Sequence, residues 1–329
     1  MKNSSQGEIL TLQAGRTPFV TFMAFISVAG ALANAMVVLS IFINQNLRTK
    51  TNWIVLSLAV ADFSVATVAI PLRLLEGINT SNTVLVSCNV VLAFSILFDG
   101  VSRLNIMLIS FDRFMGVRFP FLYDKHASKS VILILIAGFW IVMGVFAICL
   151  LSGVGLRDSK DDFKEGNASK ICLLSSTLSK AAVMAFTMGC CLFPLLIVIP
   201  VNCYLVKKSH WHAKKIQDIH KGLHANYSQD EVETNSRKQS KDVVIRQRKK
   251  AKMVVVLVCL FVVLVAPITI IDVSETLGNL KVSPYLSQTA VAMIYLNTAV
   301  NVFVYAAFSK AFREAFLRIF VKCKGIVRR

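Results

Sequence analysis

Ionisable side chains stand in this chain where their surroundings are otherwise apolar, and their spacing limits what they can do. Asp99 and Arg103 lie four residues apart in a run dominated by Leu, Ile, Phe, Val and Met. That spacing puts both on one face of a helix, within reach of each other. A lone charge in hydrocarbon is costly. Either the two form an internal ion pair, or one of them contacts a ligand, with Ser95 one turn away on the same side. Asp272 and Glu275, three residues apart at the end of another apolar run, either line the entrance to a cavity and attract a cation or are helix-end charges in solvent. Ser95, Asp99, Arg103, Asp272, Glu275 and Tyr295 form the candidate ligand-binding set.

Two further groups carry polar chemistry. Asp62 sits within Leu58-Ala59-Val60-Ala61-Asp62, and Asn34, Ser102, Asn297, Thr298 and Asn301 supply polar atoms at comparable depth in other runs. They either form a water-filled cluster that holds a sodium ion at Asp62, or bind a protonated Asp62 between helices. No other metal and no cofactor is expected. Asp112-Arg113-Phe114 ends the third run, with Pro120 and Tyr123 close behind. The adjacent charges are either interfacial anchors or part of a structured loop, which Pro120 and Tyr123 favour. His210, His212, His220 and His224 have no cysteine or carboxylate cage near them, so they belong to a solvated basic face and not to a metal site. There is no nucleophile elbow and no Gly-rich phosphate loop, so no enzyme is indicated.

The elements that must hold these residues are apolar helices. The 329 residues are 55% hydrophobic and 16% charged, with a mean hydropathy of +0.64, whereas a soluble domain carries about 25% charged residues. Seven runs, at about 18–43, 52–76, 86–117, 131–152, 180–206, 249–275 and 285–307, each match the ~20 residues that cross a bilayer as helix. They are too continuously apolar for barrel strands. The expected fold is all-α, a seven-transmembrane helix bundle. Phe308, Phe312, Phe316 and Phe320, with basic residues between them, predict a short amphipathic eighth helix at the inner membrane surface. The domains are an extracellular N-terminus (1–17), the seven-helix domain (18–307) with a long cytosolic loop at about 207–248, and the helix and cytosolic tail (308–329). The first 17 residues show no signal-peptide pattern. The ends of the long loop, Lys207-Lys208 and Arg246 to Lys252, are expected to continue spans five and six as helices, and its centre, about 222–242, has a disordered composition.

Charge orients the bundle. Segment 207–252 holds thirteen Lys and Arg against five acids, and the tail adds more. Positive-inside places these in the cytosol and the N-terminus outside, in a multi-pass membrane protein. The net charge of +18 therefore faces membrane lipid, not nucleic acid. Sequons at Asn3, Asn79 and Asn167 fall outside and are glycosylation candidates. Cys88 and Cys172 are the one cysteine pair facing the oxidising side, and a disulfide between them would tether the loop across the bundle mouth. Cys323, in a basic segment, is either palmitoylated or an unmodified thiol. Pro71, Pro194, Pro200 and Pro267 predict kinks within spans.

With these residues in order, the chain resembles the rhodopsin-like (class A) G-protein-coupled receptors over nearly its whole length. Asn34 matches the span-one asparagine, Leu58 to Asp62 the span-two motif, Cys88 and Cys172 the family disulfide, and Trp140 the span-four tryptophan. Asp112-Arg113-Phe114 resembles the Asp-Arg-Tyr motif. Phe193-Pro194 resembles the span-five motif, and Phe261 and Pro267 keep the span-six spacing. Asn301-Val302-Phe303-Val304-Tyr305 resembles Asn-Pro-x-x-Tyr. Val265 replaces the span-six switch tryptophan and Val302 the span-seven proline. Arg103 takes a position that is normally aliphatic and packs against the Pro194 and Phe261 layer. Asn202 stands where the span-five tyrosine is expected, with Tyr204 two residues on. Ser95 stands where amine receptors carry their aspartate, and span seven has no lysine for retinal.

The resemblance implies a plasma-membrane receptor that passes an extracellular small-molecule signal (an amine, a nucleoside-like compound or a peptide) to heterotrimeric G proteins, with arrestin and a receptor kinase as further partners. Asp112, Arg113 and Tyr305 would form the G-protein switch. Two alternatives stand beside it. One is a non-signalling receptor-like partner or decoy, suggested by Val265 and Val302. The other is a membrane transporter, which would call for repeat symmetry and broken helices in matching halves; neither is visible.

Overall fold

The computed structural model describes the backbone of residues 2–76, 86–156, 172–226, 235–278 and 282–327, and side chains within 18–76, 86–156, 172–211, 252–278 and 282–321. Single polar residues set where helices begin. Thr49, Ser128, Ser179 and Ser283 each accept, through the side-chain oxygen, a hydrogen bond from the backbone N–H three residues on. This satisfies a donor that a helix start leaves free. Pro284 follows Ser283 at the first helical position, where a missing N–H costs nothing.

Among the described residues seven helices are long and apolar enough to cross a membrane. They are Pro18–Ile43, Lys50–Glu76, Cys88–Arg118, Lys129–Leu151, Lys180–Lys208, Lys252–Gly278 and Pro284–Phe308, here spans one to seven. The expected bounds agree within about a helical turn. No strand occurs among the described residues beyond one isolated bridge, Leu156 to Leu178. In the long loop the ends continue spans five and six as helices, as expected, and the helix reaches further than expected, to Asn226 on one side and from Asn235 on the other. These flanks are proline-free and rich in Lys, Arg, Gln and Ala, all good helix formers.

Two of the four prolines leave a distinct mark. A π-helical turn, Val65–Ala69, directly precedes Ile70-Pro71, and another, Met188–Leu192, directly precedes Phe193-Pro194. Proline lacks the N–H and crowds the carbonyl four residues back; a widened turn relieves that clash and re-aims the side chains around it. Pro200 and Pro267 lie within uninterrupted helices.

Span three is the axle of the bundle and packs against spans two, four, five and six. Gly100 allows the close approach of span four, since a Cβ there would meet Met143 Cε at 2.4 Å. Leu58, Ile106, Ile109, Leu257 and Phe261 fill the half that ends at Asp112. Met23, Ile26, Ile70, Ile268 and Ile271 fill the half that ends at the disulfide. Phe25, Ile134, Ile141 and Leu196 point outward and are exposed, as a lipid-facing belt requires.

The eighth helix runs Lys310–Val327. Phe312 and Phe316 are buried against the bundle, with the Phe312 ring stacked on Tyr305 at 5.6 Å between centroids, while Phe320 is exposed. Arg313 Nη1 donates to the carbonyls of Ala306 and Ala307 at 3.0 and 2.9 Å. The carbonyls left free at the end of span seven are thereby capped.

Candidate functional site

At the disulfide end, spans two, three, five, six and seven enclose a cavity of about 50 Å³, room for a few water molecules as it stands. Its polar lining is Arg73, Ser95, Asp99, Arg103, Asp272 and Tyr295, and its apolar lining includes Leu92, Ile96, Phe186, Ile268 and Val291. Five of the six candidate ligand-binding residues meet here; Glu275 lies to one side. Ser95 Oγ and Tyr295 Oη are 3.1 Å apart and share a hydrogen bond.

Asp99 and Arg103 form an ion pair through Oδ2 and Nη2, with Arg103 only 3% exposed. The same guanidinium donates through Nη1 to Cys191 Sγ and lies 5.4 Å from the Phe186 ring centroid, a cation–π distance. Its head group therefore points to the cavity and span five. The helix spacing and the cost of a lone buried charge account for this pair, and both residues also line the cavity.

Asp272 and Glu275 are separated in role by one turn. Asp272 is 5% exposed, and its Oδ1 has no hydrogen-bond partner among the described residues. It faces the cavity and is not a solvated helix-end charge. Glu275 instead ties connecting segments together, accepting from Ser175 Oγ and from the Val282 backbone N–H at 3.3 Å.

The lid over the cavity is Cys172 to Leu174, held by the Cys88–Cys172 disulfide. Arg73 and Glu76 of span two hold it a second time. Arg73 Nη1 donates to Cys172 O at 2.6 Å and to Glu76 Oε2 at 3.0 Å, and Glu76 Oε1 accepts from Cys172 N at 3.0 Å. Sequence reading passed over Arg73 as a site residue. The available signal was an arginine three residues from a glutamate near the end of a span, the spacing of a helical ion pair. Glu76, Cys88 and Cys172 crowd together as metal ligands would, but both sulfurs are joined in the disulfide.

Midway down the bundle, Ser102 Oγ donates to Asp62 Oδ1 at 2.7 Å and Asn301 Nδ2 to Asp62 Oδ2 at 2.8 Å. Both carboxylate oxygens of Asp62 thus have a protein donor. Asn34 stands beside them without touching Asp62: its Nδ2 donates to Gly30 O and Thr298 O at 2.9 and 3.0 Å. Asn297 is buried, and its amide oxygen has no hydrogen-bond partner among the described residues. Trp140 Nε1 and Asn105 Nδ2 both donate to Ser57 Oγ, at 3.1 and 3.0 Å, pinning span four to spans two and three.

At the other end Asp112 is an acceptor hub, buried at 6% exposure. It takes Thr51 Oγ1 at 2.8 Å, Tyr123 Oη at 2.7 Å and Arg113 Nη2 at 2.9 Å. Tyr123 comes from a short helix, Pro120–His126, whose first residue is the proline. Burial and then the bond to Asp112 push the Tyr123 hydroxyl up to about 12, so it stays a donor through the neutral range. Thr51 was not legible as a partner from sequence. Tyr204 meets Phe114 edge-on at 5.4 Å, while Asn202, in the expected tyrosine's place, donates to Val198 O at 2.7 Å and reaches Ser110 Oγ at 3.5 Å. Tyr305 is buried, and its hydroxyl has no hydrogen-bond partner among the described residues.

Asn79 and Asn167 lie outside the described residues, as do the side chains of Asn3, His210, His212, His220, His224 and Cys323.

Comparison with known proteins agrees with this architecture. The family described as 7 transmembrane receptor (rhodopsin family) matches residues 33–305. Dopamine receptor 1 of Drosophila melanogaster is 25% identical over 92% of this chain and 61% of its own length, so this chain spans less than two thirds of that relative. Allatostatin-A receptor of Bombyx mori is 28% identical over 95% of this chain and 82% of its own. Adenosine receptor A2a of Homo sapiens is 24% identical over 93% of this chain and 72% of its own. The match runs from Ala33, beside Asn34 of span one, to Tyr305 of span seven and takes in the cavity, the Asp62 cluster and the Asp112 hub: the chain is a multi-pass membrane protein that belongs to the rhodopsin family of seven-transmembrane receptors and is not an enzyme.

Proposed function

We propose that this protein is a plasma-membrane receptor that binds an extracellular small molecule in the cavity beneath the Cys88–Cys172 lid and passes the signal to a heterotrimeric G protein. The observation that carries the reading is the cavity itself, lined by buried charged residues from separate spans and set at the end of the bundle opposite Asp112 and Arg113. Relatives named for dopamine, allatostatin and adenosine support a ligand without fixing its class. The basic segment 207–252 and the basic tail support an orientation with the N-terminus outside and the C-terminus in the cytosol.

The mechanism is a population shift. Ligand in the cavity contacts spans three and six together and favours a state in which span six has swung away at the far end. Arg113 then leaves Asp112 and faces the G protein, with Tyr305 completing the switch. The Asp62 cluster, as a sodium site or as a hydrogen-bonded hub, biases the two states. Arrestin and a receptor kinase act on the active form, and lipid surrounds the exposed belt. Asn3, Asn79 and Asn167 carry glycans and Cys323 a lipid in this reading.

Val265 and Val302, buried where the switch tryptophan and proline stand in the family, favour one second reading, a receptor-like partner or decoy that binds ligand without signalling. Nucleotide exchange on each major G-protein class, in membranes containing the receptor, separates the two. Ligand-stimulated or basal exchange above empty membranes supports the receptor. Bound ligand with no exchange on any class leaves the decoy. Tags test the orientation: an N-terminal tag should stain on intact cells and a C-terminal tag only after permeabilisation, and the reverse pattern rejects it.

A further inference from the structure

Three cavity-lining side chains are each more than nine-tenths buried, and each keeps one polar atom that has no hydrogen-bond partner among the described residues. They are Nε of Arg73, Nε of Arg103 and Oδ1 of Asp272. Buried polar atoms in native proteins are almost always hydrogen-bonded, and one left alone costs its full desolvation. The internal ion pairs do not use these atoms. Arg73 meets Glu76 through Nη1, and Arg103 meets Asp99 through Nη2. Asp272 has no ion pair among the described residues. The residues that line the cavity thus carry two spare cationic donors, from spans two and three, and one spare carboxyl acceptor, from span six. The wall beside them, Leu92, Ile96, Ile268 and Val291, is apolar.

Resting on the reading of this cavity as a receptor's ligand site, we propose that the ligand is a small zwitterion of amino-acid type. Its ammonium group donates to Asp272 Oδ1, and its carboxylate accepts from the Nε–H groups of Arg73 and Arg103. A simple amine would satisfy Asp272 and leave both arginine donors bare. A simple acid would satisfy the arginines and leave Asp272 bare. A site built around a substrate's polar group rejects the analogue lacking it far more strongly than it rejects a missing methylene, because its own buried atoms are then stranded. Ser95, at the family's amine-binding position, is already engaged with Tyr295, so the cation-holding carboxyl here comes from span six. The small free volume restricts the ligand to a few heavy atoms beyond the two charged groups.

The test uses full-length receptor purified in detergent and matched triads at equal millimolar concentration. One triad is γ-aminobutyrate, n-butylamine and butyrate; the other is alanine, ethylamine and propionate. In at least one triad the zwitterion should raise Tm by several degrees and both single-charge partners should leave it unchanged. Asp272→Asn should reduce the zwitterion's shift to that of the matching acid. If Asp272→Asn does not fold, the wild-type comparison within each triad still decides. An amine or an acid that stabilises as well as its zwitterion overturns the proposal, and so does the absence of any shift with all six compounds. Nucleotide exchange on G protein, measured in parallel, keeps the two claims apart. A zwitterion that raises Tm without driving exchange leaves the ligand assignment standing and removes the signalling reading. A single-charge compound that drives exchange does the opposite.

Discussion

Nη1 of Arg73 donates to the carbonyl oxygen of Cys172 at 2.6 Å, joining residues 99 apart in the chain. With Glu76 accepting from the amide of the same cysteine, span two grips both backbone groups of the lid residue that the disulfide also anchors. The lid over the cavity is therefore fixed by one covalent bond and one charge pair, from two different spans.

Arg73→Met keeps the apolar stem and removes the charged donor. The lost charge-assisted bond should lower stability by about 2 kcal/mol, read as a lower Tm of the purified receptor. Arg73→Met combined with Glu76→Gln should lose less than Arg73→Met alone, because the carboxylate is no longer stranded. An unchanged Tm for Arg73→Met would show that the disulfide alone holds the lid.

The Asp99–Arg103 pair lends itself to a double-mutant cycle. Breaking a buried pair from one side costs about 3–5 kcal/mol, so Asp99→Asn and Arg103→Met should each depress Tm and surface expression. The double variant should regain much of the loss, giving a large coupling energy. Additive losses would mean that each residue depends on other partners, Cys191 and Phe186 for Arg103.

The Asp112 hub should hold the resting state. Tyr123→Phe removes one of its three donors and Thr51→Val another, and each should raise basal nucleotide exchange, with Asp112→Asn raising it further. Arg113→Ala should abolish exchange at an unaltered surface level. The sign of the pH dependence is set by Tyr123. A hydroxyl pushed up to about 12 from its usual 10 keeps its contact below 10 and loses it as pH rises through 12, so Tyr123→Phe should raise basal exchange equally at pH values around neutrality. A rise in wild-type basal exchange that Tyr123→Phe removes, within the neutral range, would contradict this assignment.

Cys88→Ala and Cys172→Ala should each reduce surface expression, and the double variant should be no worse than either, since one bond is lost in all three. Removing such a bridge typically costs about 2–5 kcal/mol. Flow cytometry on intact cells measures it, and additive losses would mean that the two cysteines act separately.

Hydropathy alone determined the seven spans, because a bilayer of fixed thickness demands apolar helices of fixed length whatever packs beside them. Local spacing determined the Asp99–Arg103 pair, since residues four apart meet on any helix, and the order of family motifs identified Asp62, Asp112 and the Cys88–Cys172 bridge. What the sequence left open needed contacts between distant residues. Asp272 faces inward while Glu275, one turn on, is drawn to Ser175 and Val282; a residue's side of a helix is settled by what packs against it. The grip of Arg73 on Cys172 and the approach of Thr51 to Asp112 join different spans, and no periodicity within one span encodes its rotation relative to the next. Asn34 and Asn297 lie at the depth of Asp62, yet only Ser102 and Asn301 reach its oxygens. Depth is a property of the sequence, whereas azimuth follows from how the seven helices pack, here with π-turns before Pro71 and Pro194 resetting the register of spans two and five.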